Sequence, residues 1–159
     1  MTRPLRLVAL LCAALLLLPA AARADDRSFA ATAIDQAGKL ARYETATGRA
    51  LLRVDKRGKS AIPAARKAAA AARAQIDRAL RPIRAEQTST PDGAVVKREF
   101  VGLLVAEKKA YKTVDRSLAA FQRGQVSTGN TLQARAKKAI ARVRRAAVKL
   151  APRLRALTA

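Results

Sequence analysis

From Ile62 to Ile83 the chain places apolar residues at alternating steps of three and four: Ile62, Ala65, Ala69, Ala72, Ile76, Ala79 and Ile83. That is the period of a helix that packs along one stripe. Most of the stripe is alanine, so it lets a neighbouring backbone approach closely. Three other segments carry a seam of the same period. A first helix is expected from about Asp26 to Arg57, with Ala33, Ala37, Leu40, Glu44, Thr47, Leu51 and Val54 on its seam. The third seam is Val96, Phe100, Leu103, Glu107, Ala110, Val114, Ser117 and Phe121. The fourth is Leu132, Ala136, Ala139, Val143, Ala146 and Leu150.

The breaks between seams carry helix punctuation. Gly58 and Gly124 suit the positive-φ residue that ends a helix. Ser60 is the expected N-cap of the second helix, with Pro63 inside its first turn. Pro82 lacks a backbone donor and is expected to kink or end that helix near Arg81. Thr90, followed by Pro91 and Asp92, marks the start of the third helix. Asn130 with Gln133 reads as a capping box for the fourth, and Pro152 falls near its end. Segments of about 27 to 33 residues span roughly 40 to 50 Å at the helical rise. Matched lengths and short loops predict an all-α fold of four long antiparallel helices, an up-down-up-down four-helix bundle. The alternative is two helical hairpins that pair in a dimer.

The N-terminus has a different character. Arg3 and Arg6 precede the apolar run "LVALLCAALLLLPAAA", and Ala22-Arg23-Ala24 follows as a small-residue cleavage site. Residues 1–24 are therefore read as a cleaved secretory signal peptide, and 25–159 as one helical domain that is exported to the periplasm or the exterior. An uncleaved membrane anchor is the alternative, but the run is short for a span. No later run in residues 25–159 is long and apolar enough to cross a bilayer. The one cysteine, Cys12, lies in the leader, so the expected mature chain has no disulfide. There is no His, and Met1 is the only Met, which argues against a transition-metal or haem cofactor and against the commonest acid–base catalyst. No glycine-rich phosphate loop is present, and no base stands beside a Ser, Thr or Tyr nucleophile. The expectation is a non-enzymatic protein without a cofactor.

Charge is the strongest functional signal. Residues 25–159 hold 30 Lys and Arg against 11 Asp and Glu. The same stretch has 28 Leu, Ile, Val and Phe and 32 alanines, so helices are favoured while the core is thin. No acid follows Asp115. On the fourth helix Arg135, Lys138, Arg142, Arg145 and Lys149 recur at three and four and form a basic ridge beside the apolar seam. Such a ridge serves either as a solvated face that keeps the protein in solution or as an anion-binding surface.

Glu44 and Glu107 stand at seam positions where an apolar residue is expected, at similar heights on the first and third helices. Arg73 on the second helix, and Arg142 and Arg145 on the fourth, are expected near that level, with Tyr111 one turn after Glu107. A carboxylate in an apolar core needs a partner. Glu44, Glu107, Arg73 and Tyr111 are thus a candidate buried polar layer that sets helix register. A weak oxygen-liganded cation site is the sharper alternative.

Together these features predict an exported helical protein that binds anionic cell-envelope polymers or lipid headgroups through distributed Arg and Lys. One alternative is a structural or chaperone-like interaction module whose alanine seams meet another protein or a second copy. Another is non-specific nucleic-acid binding, which export argues against. Five aromatics in residues 25–159 give little support to base stacking.

Overall fold

A computed structural model describes the backbone from Pro4 and side chains from Ala24 onward. Of the expected signal peptide, residues 1–24, residues 1–3 and every side chain before Ala24 lie outside the described residues. The elements are α1 (Pro4–Arg57), a short 3-10 turn (Gly58–Ala61), α2 (Ile62–Ala85), α3 (Pro91–Gln122) and α4 (Val126–Ala156). The fold is all-α, and consecutive helices pack on one another.

Cross-helix bonds fix the directions. Ser28 and Thr32, midway along α1 and early in residues 25–159, donate to the Glu86 carboxylate just after α2. Lys108 of α3 reaches Asp77 of α2 at 2.6 Å, and Arg66 reaches Asp115 at 2.8 Å. Ser117 near the end of α3 donates to the Gly129 carbonyl near the start of α4, at 2.8 Å. Arg153 near the end of α4 returns to Glu99 and Asp92. Arg66–Asp115, Ser117–Gly129 and Arg153–Asp92 each join the start of one helix to the end of its neighbour, which makes the path up-down-up-down.

The core centres on α2 and α3. All seven residues of the alanine–isoleucine seam of α2 are buried. Phe100, Leu104, Val114 and Leu118 of α3 pack into the same cluster, with Phe29, Ala33 and Leu40 of α1. The far edge is different. α4 packs along α3 and meets α1 only sparsely. Ala37 and Glu44, expected on the α1 seam, are consequently exposed, and on α4 Ala139 and Val143 are only half-buried while Ala146 is exposed. Every described core side chain, from Phe29 onward, lies within residues 25–159.

Several expected helix ends are corrected. In the full chain α1 continues upstream of Asp26, to Pro4. Ser60 does not cap α2; its hydroxyl donates to the Arg57 carbonyl, and the 3-10 turn leads directly into Ile62. Asn130 does not cap α4, which starts four residues earlier at Val126 because Gly124 (φ +78°) turns the chain at once. Pro82 and Pro152 neither end nor interrupt their helices. The carbonyl that each proline leaves without a donor belongs to an exposed residue, Arg78 or Val148, so water can satisfy it. Buried Ile83 and Leu154 hold the turns beyond the prolines in place. The Thr90 cap with Pro91 forms as expected, with Gly93 N–H donating to Thr90 Oγ1 at 3.0 Å.

Asp26 has a structural task the sequence does not reveal. Its side chain is only 3% exposed. It accepts from Ser89 N–H at 3.0 Å and from the Thr90 hydroxyl, so it ties α1 to the cap of α3 across the α2–α3 loop. Asp25 accepts from the Ser89 hydroxyl at the exposed rim of the same contact. Asp26→Ala is expected to cost about 1–2 kcal/mol, because it leaves a part-buried amide and hydroxyl without their charged acceptor. Asp25→Ala should stay within about 0.5 kcal/mol of the parent. Urea titration of both variants checks the pair, and equal effects would contradict the assignment.

Candidate functional site: a basic α4 face beside an acidic cleft

The five ridge residues of α4 emerge on one outer face. Arg135, Lys138, Arg142, Arg145 and Lys149 are all exposed. Ion pairs among the described residues use other cations: Lys39, Arg66, Arg73, Lys108 and Arg153. The acids are placed where helices meet: Asp77 and Asp115 at the α2–α3 contact, Asp92 and Glu99 at the α3–α4 contact. They hold helices together and leave the ridge uncompensated. At about one turn of spacing, five cations along this face produce a field that attracts anions and is screened by salt.

The predicted polar layer is partly assembled. Glu107 is buried, 7% exposed, and Glu44 of α1 lies beside it. Burial pushes the Glu107 carboxyl up from 4.5 to about 7, and the Glu44 charge and hydrogen bond add to the rise, while the Tyr111 hydroxyl bond opposes it. The Tyr111 phenol is itself pushed up, first by burial and then by the two carboxylates, with Arg144 working against the shift. Arg144 is thus the α4 cation that faces this group. Arg142 lines the opposite side of α4.

Arg73 does not join the layer. It pairs with Asp115 at 3.6 Å, about two turns along α3 from Glu107. Equal counting from the helix starts misplaces it, because Glu86–Thr90 runs beside the first turns of α3: Lys97 donates to the Glu86 carbonyl. That offset brings apolar residues of α2 opposite Glu107. The Arg73 Nε is buried without a hydrogen-bond partner.

Glu44, Glu107 and Arg144 line a cleft of about 230 Å³ between α1, α3 and α4, floored by residues such as Phe100, Leu104 and Leu154. The gap exists because α4 does not close against α1. Two carboxylates and an arginine make a poor cation site, and among the described residues no cluster of three His, Cys, Asp or Glu could hold a metal. The arrangement is suited to holding a proton on Glu107. Arg144 was missed because it sits one residue off the apolar seam, on the side away from the ridge.

The raised Glu107 pKa has a definite sign for stability. The folded state binds this proton more tightly than the unfolded chain, so stability falls as pH rises from about 4.5 through about 7 and then levels off. Glu107→Gln is expected to flatten that segment and to stabilise the protein at pH 8 by on the order of 2 kcal/mol. Thermal melts of parent and variant at pH 5 and pH 8 test this. A variant that loses stability equally at both values would show that Glu107 is needed in its ionised form.

No family model matches this chain, and no curated protein or solved structure is found similar to it.

Proposed function

We propose that this is an exported, non-enzymatic protein that binds anionic cell-envelope surfaces, lipid headgroups or phosphate-bearing polymers, through the outer face of α4. The observation that carries the reading is the set of five exposed ridge cations, none paired with an acid among the described residues. Export rests on the leader-like N-terminus. No helix among the described residues is long and apolar enough to cross a membrane, so membrane contact in this reading is peripheral. Each Lys or Arg held near an anionic surface contributes about 1 kcal/mol, so a face of five is sufficient for reversible attachment without insertion.

The test is sedimentation of residues 25–159 with phosphatidylglycerol vesicles, phosphatidylcholine vesicles and duplex DNA over a salt series. Preferential binding to the anionic vesicles that fades with salt is expected. Replacing Arg135, Lys138, Arg142, Arg145 and Lys149 by Ala should weaken it by about 1 kcal/mol per cation. Equal affinity for vesicles and DNA would reduce the face to a generic polyanion binder. Binding that ignores salt, or survives the five replacements, would remove the proposal.

A further inference from the structure

The α3–α4 pair carries a second feature that the ridge does not explain. On the side away from α1, the two helices enclose an open groove of about 750 Å³. Its floor is apolar and mostly small: Leu103, Ala106 and Ala110 of α3, and Val143, Ala146 and Leu150 of α4. Lys109 stands on one rim, Arg142 and Lys149 on the other. The volume is in the range of small-molecule sites. From Glu99 to Thr113 the groove runs about 21 Å along the helices, longer than the ~15 Å depth of one leaflet of a bilayer core.

Charge along the groove is asymmetric. The Ser117–Gly129 bond and the Arg153–Glu99 pair set the register of the two helices. That register places Lys109 within about one turn of Lys138 and Arg142. The acids of that stretch of α3 are turned elsewhere: Glu107 into the cleft beside α1, Asp115 toward Arg66 and Arg73. At the opposite end, Arg153 is held by Glu99 and Asp92, so Lys149 and Arg153 face two acids there. One end is a positive mouth and the other is neutralised and stapled. A second copy of this chain would bring a surface of the same sign, since residues 25–159 carry 30 Lys and Arg against 11 Asp and Glu. An acidic amphipathic helix would need anion-attracting charge along its whole length. An amphiphile with one charged head and one apolar tail matches the gradient.

We propose that the α3–α4 groove holds a single acyl chain of an anionic amphiphile, with its headgroup between Lys109 and Arg142 and its tail running toward Leu150. The inference deepens the envelope-binding reading and rests on its choice of anionic lipid, but it concerns a discrete site where that reading concerns a surface.

The experiment titrates residues 25–159 with lysophosphatidylglycerol below its micelle concentration, in myristoyl and octanoyl forms, and with glycerol phosphate, by calorimetry. One saturable site is expected, with the myristoyl form at least roughly tenfold tighter than the octanoyl one and no measurable heat from glycerol phosphate. Ala106→Phe changes an exposed position and fills the groove. It should weaken lysolipid binding roughly tenfold while leaving vesicle attachment by the outer ridge intact. Lys109→Glu with Arg142→Glu, both exposed, should abolish preference for the anionic lysolipid over lysophosphatidylcholine. Chain-length independence, or an Ala106→Phe variant that binds as tightly as the parent, overturns the site. An acidic amphipathic peptide that binds one-to-one where lysolipid does not overturns it in favour of a protein partner. Lost vesicle binding with intact lysolipid binding would sink the surface reading and leave the groove standing.

Discussion

The alanine face of α2 is the constraint on which the other helices depend. Ala65, Ala69, Ala72 and Ala79 present almost no side chain, so α1 and α3 approach α2 closely, and Ile62, Ile76 and Ile83 fill the spaces between. A chain with so few large apolar residues has no alternative core of similar quality. Large side chains are concentrated where α1, α2 and α3 converge, and little is left for the α1–α4 edge. The open side of the bundle thus follows from composition as much as from topology. Three helices share most of the core, and the fourth joins it along α3 through Ala136, Leu150 and Leu154.

Charge is distributed by the same economy. Acids are scarce, and the structure places most of them at helix junctions: Asp26 under the α3 cap, Asp77 and Asp115 between α2 and α3, Asp92 and Glu99 against Arg153. Arg and Lys exceed what those junctions need, and the surplus gathers on α4, which has no acid of its own. The basic face is therefore what remains once the interior contacts are satisfied. Its regular spacing comes from the apolar seam alongside, since a helix that reserves one stripe for packing must carry its charges on the next.

The parts legible in sequence are those governed by helix period. The α2 seam was readable to the residue because both sides of that helix are covered. The α1 seam failed at Ala37 and Glu44, where the expected neighbour does not close. Gly58, Gly124 and the Thr90–Pro91 start were readable because they are local chemistry. Ser60 and Asn130 have the right side chains for caps, but turn geometry set by the preceding glycines decided where the helices start. Arg73 was placed by counting, and counting cannot anticipate a loop that runs beside its own helix. Asp26, meeting residues more than sixty positions away, and Arg144, facing Glu107 from off the seam, depend on tertiary register that no local pattern encodes.

That α4 leans on one neighbour has a mechanical consequence. A helix held almost entirely along one side, carrying like charges on its outer face, is the element of this bundle with the most to push it away. Any anion that gathers along its cations removes repulsion that the rest of the fold does not feel. Occupancy would then register first as slower opening of this one helix, well before it registers as a change in overall melting. The protein would behave as a rigid three-helix frame with a charged arm whose tightness reports what lies against it.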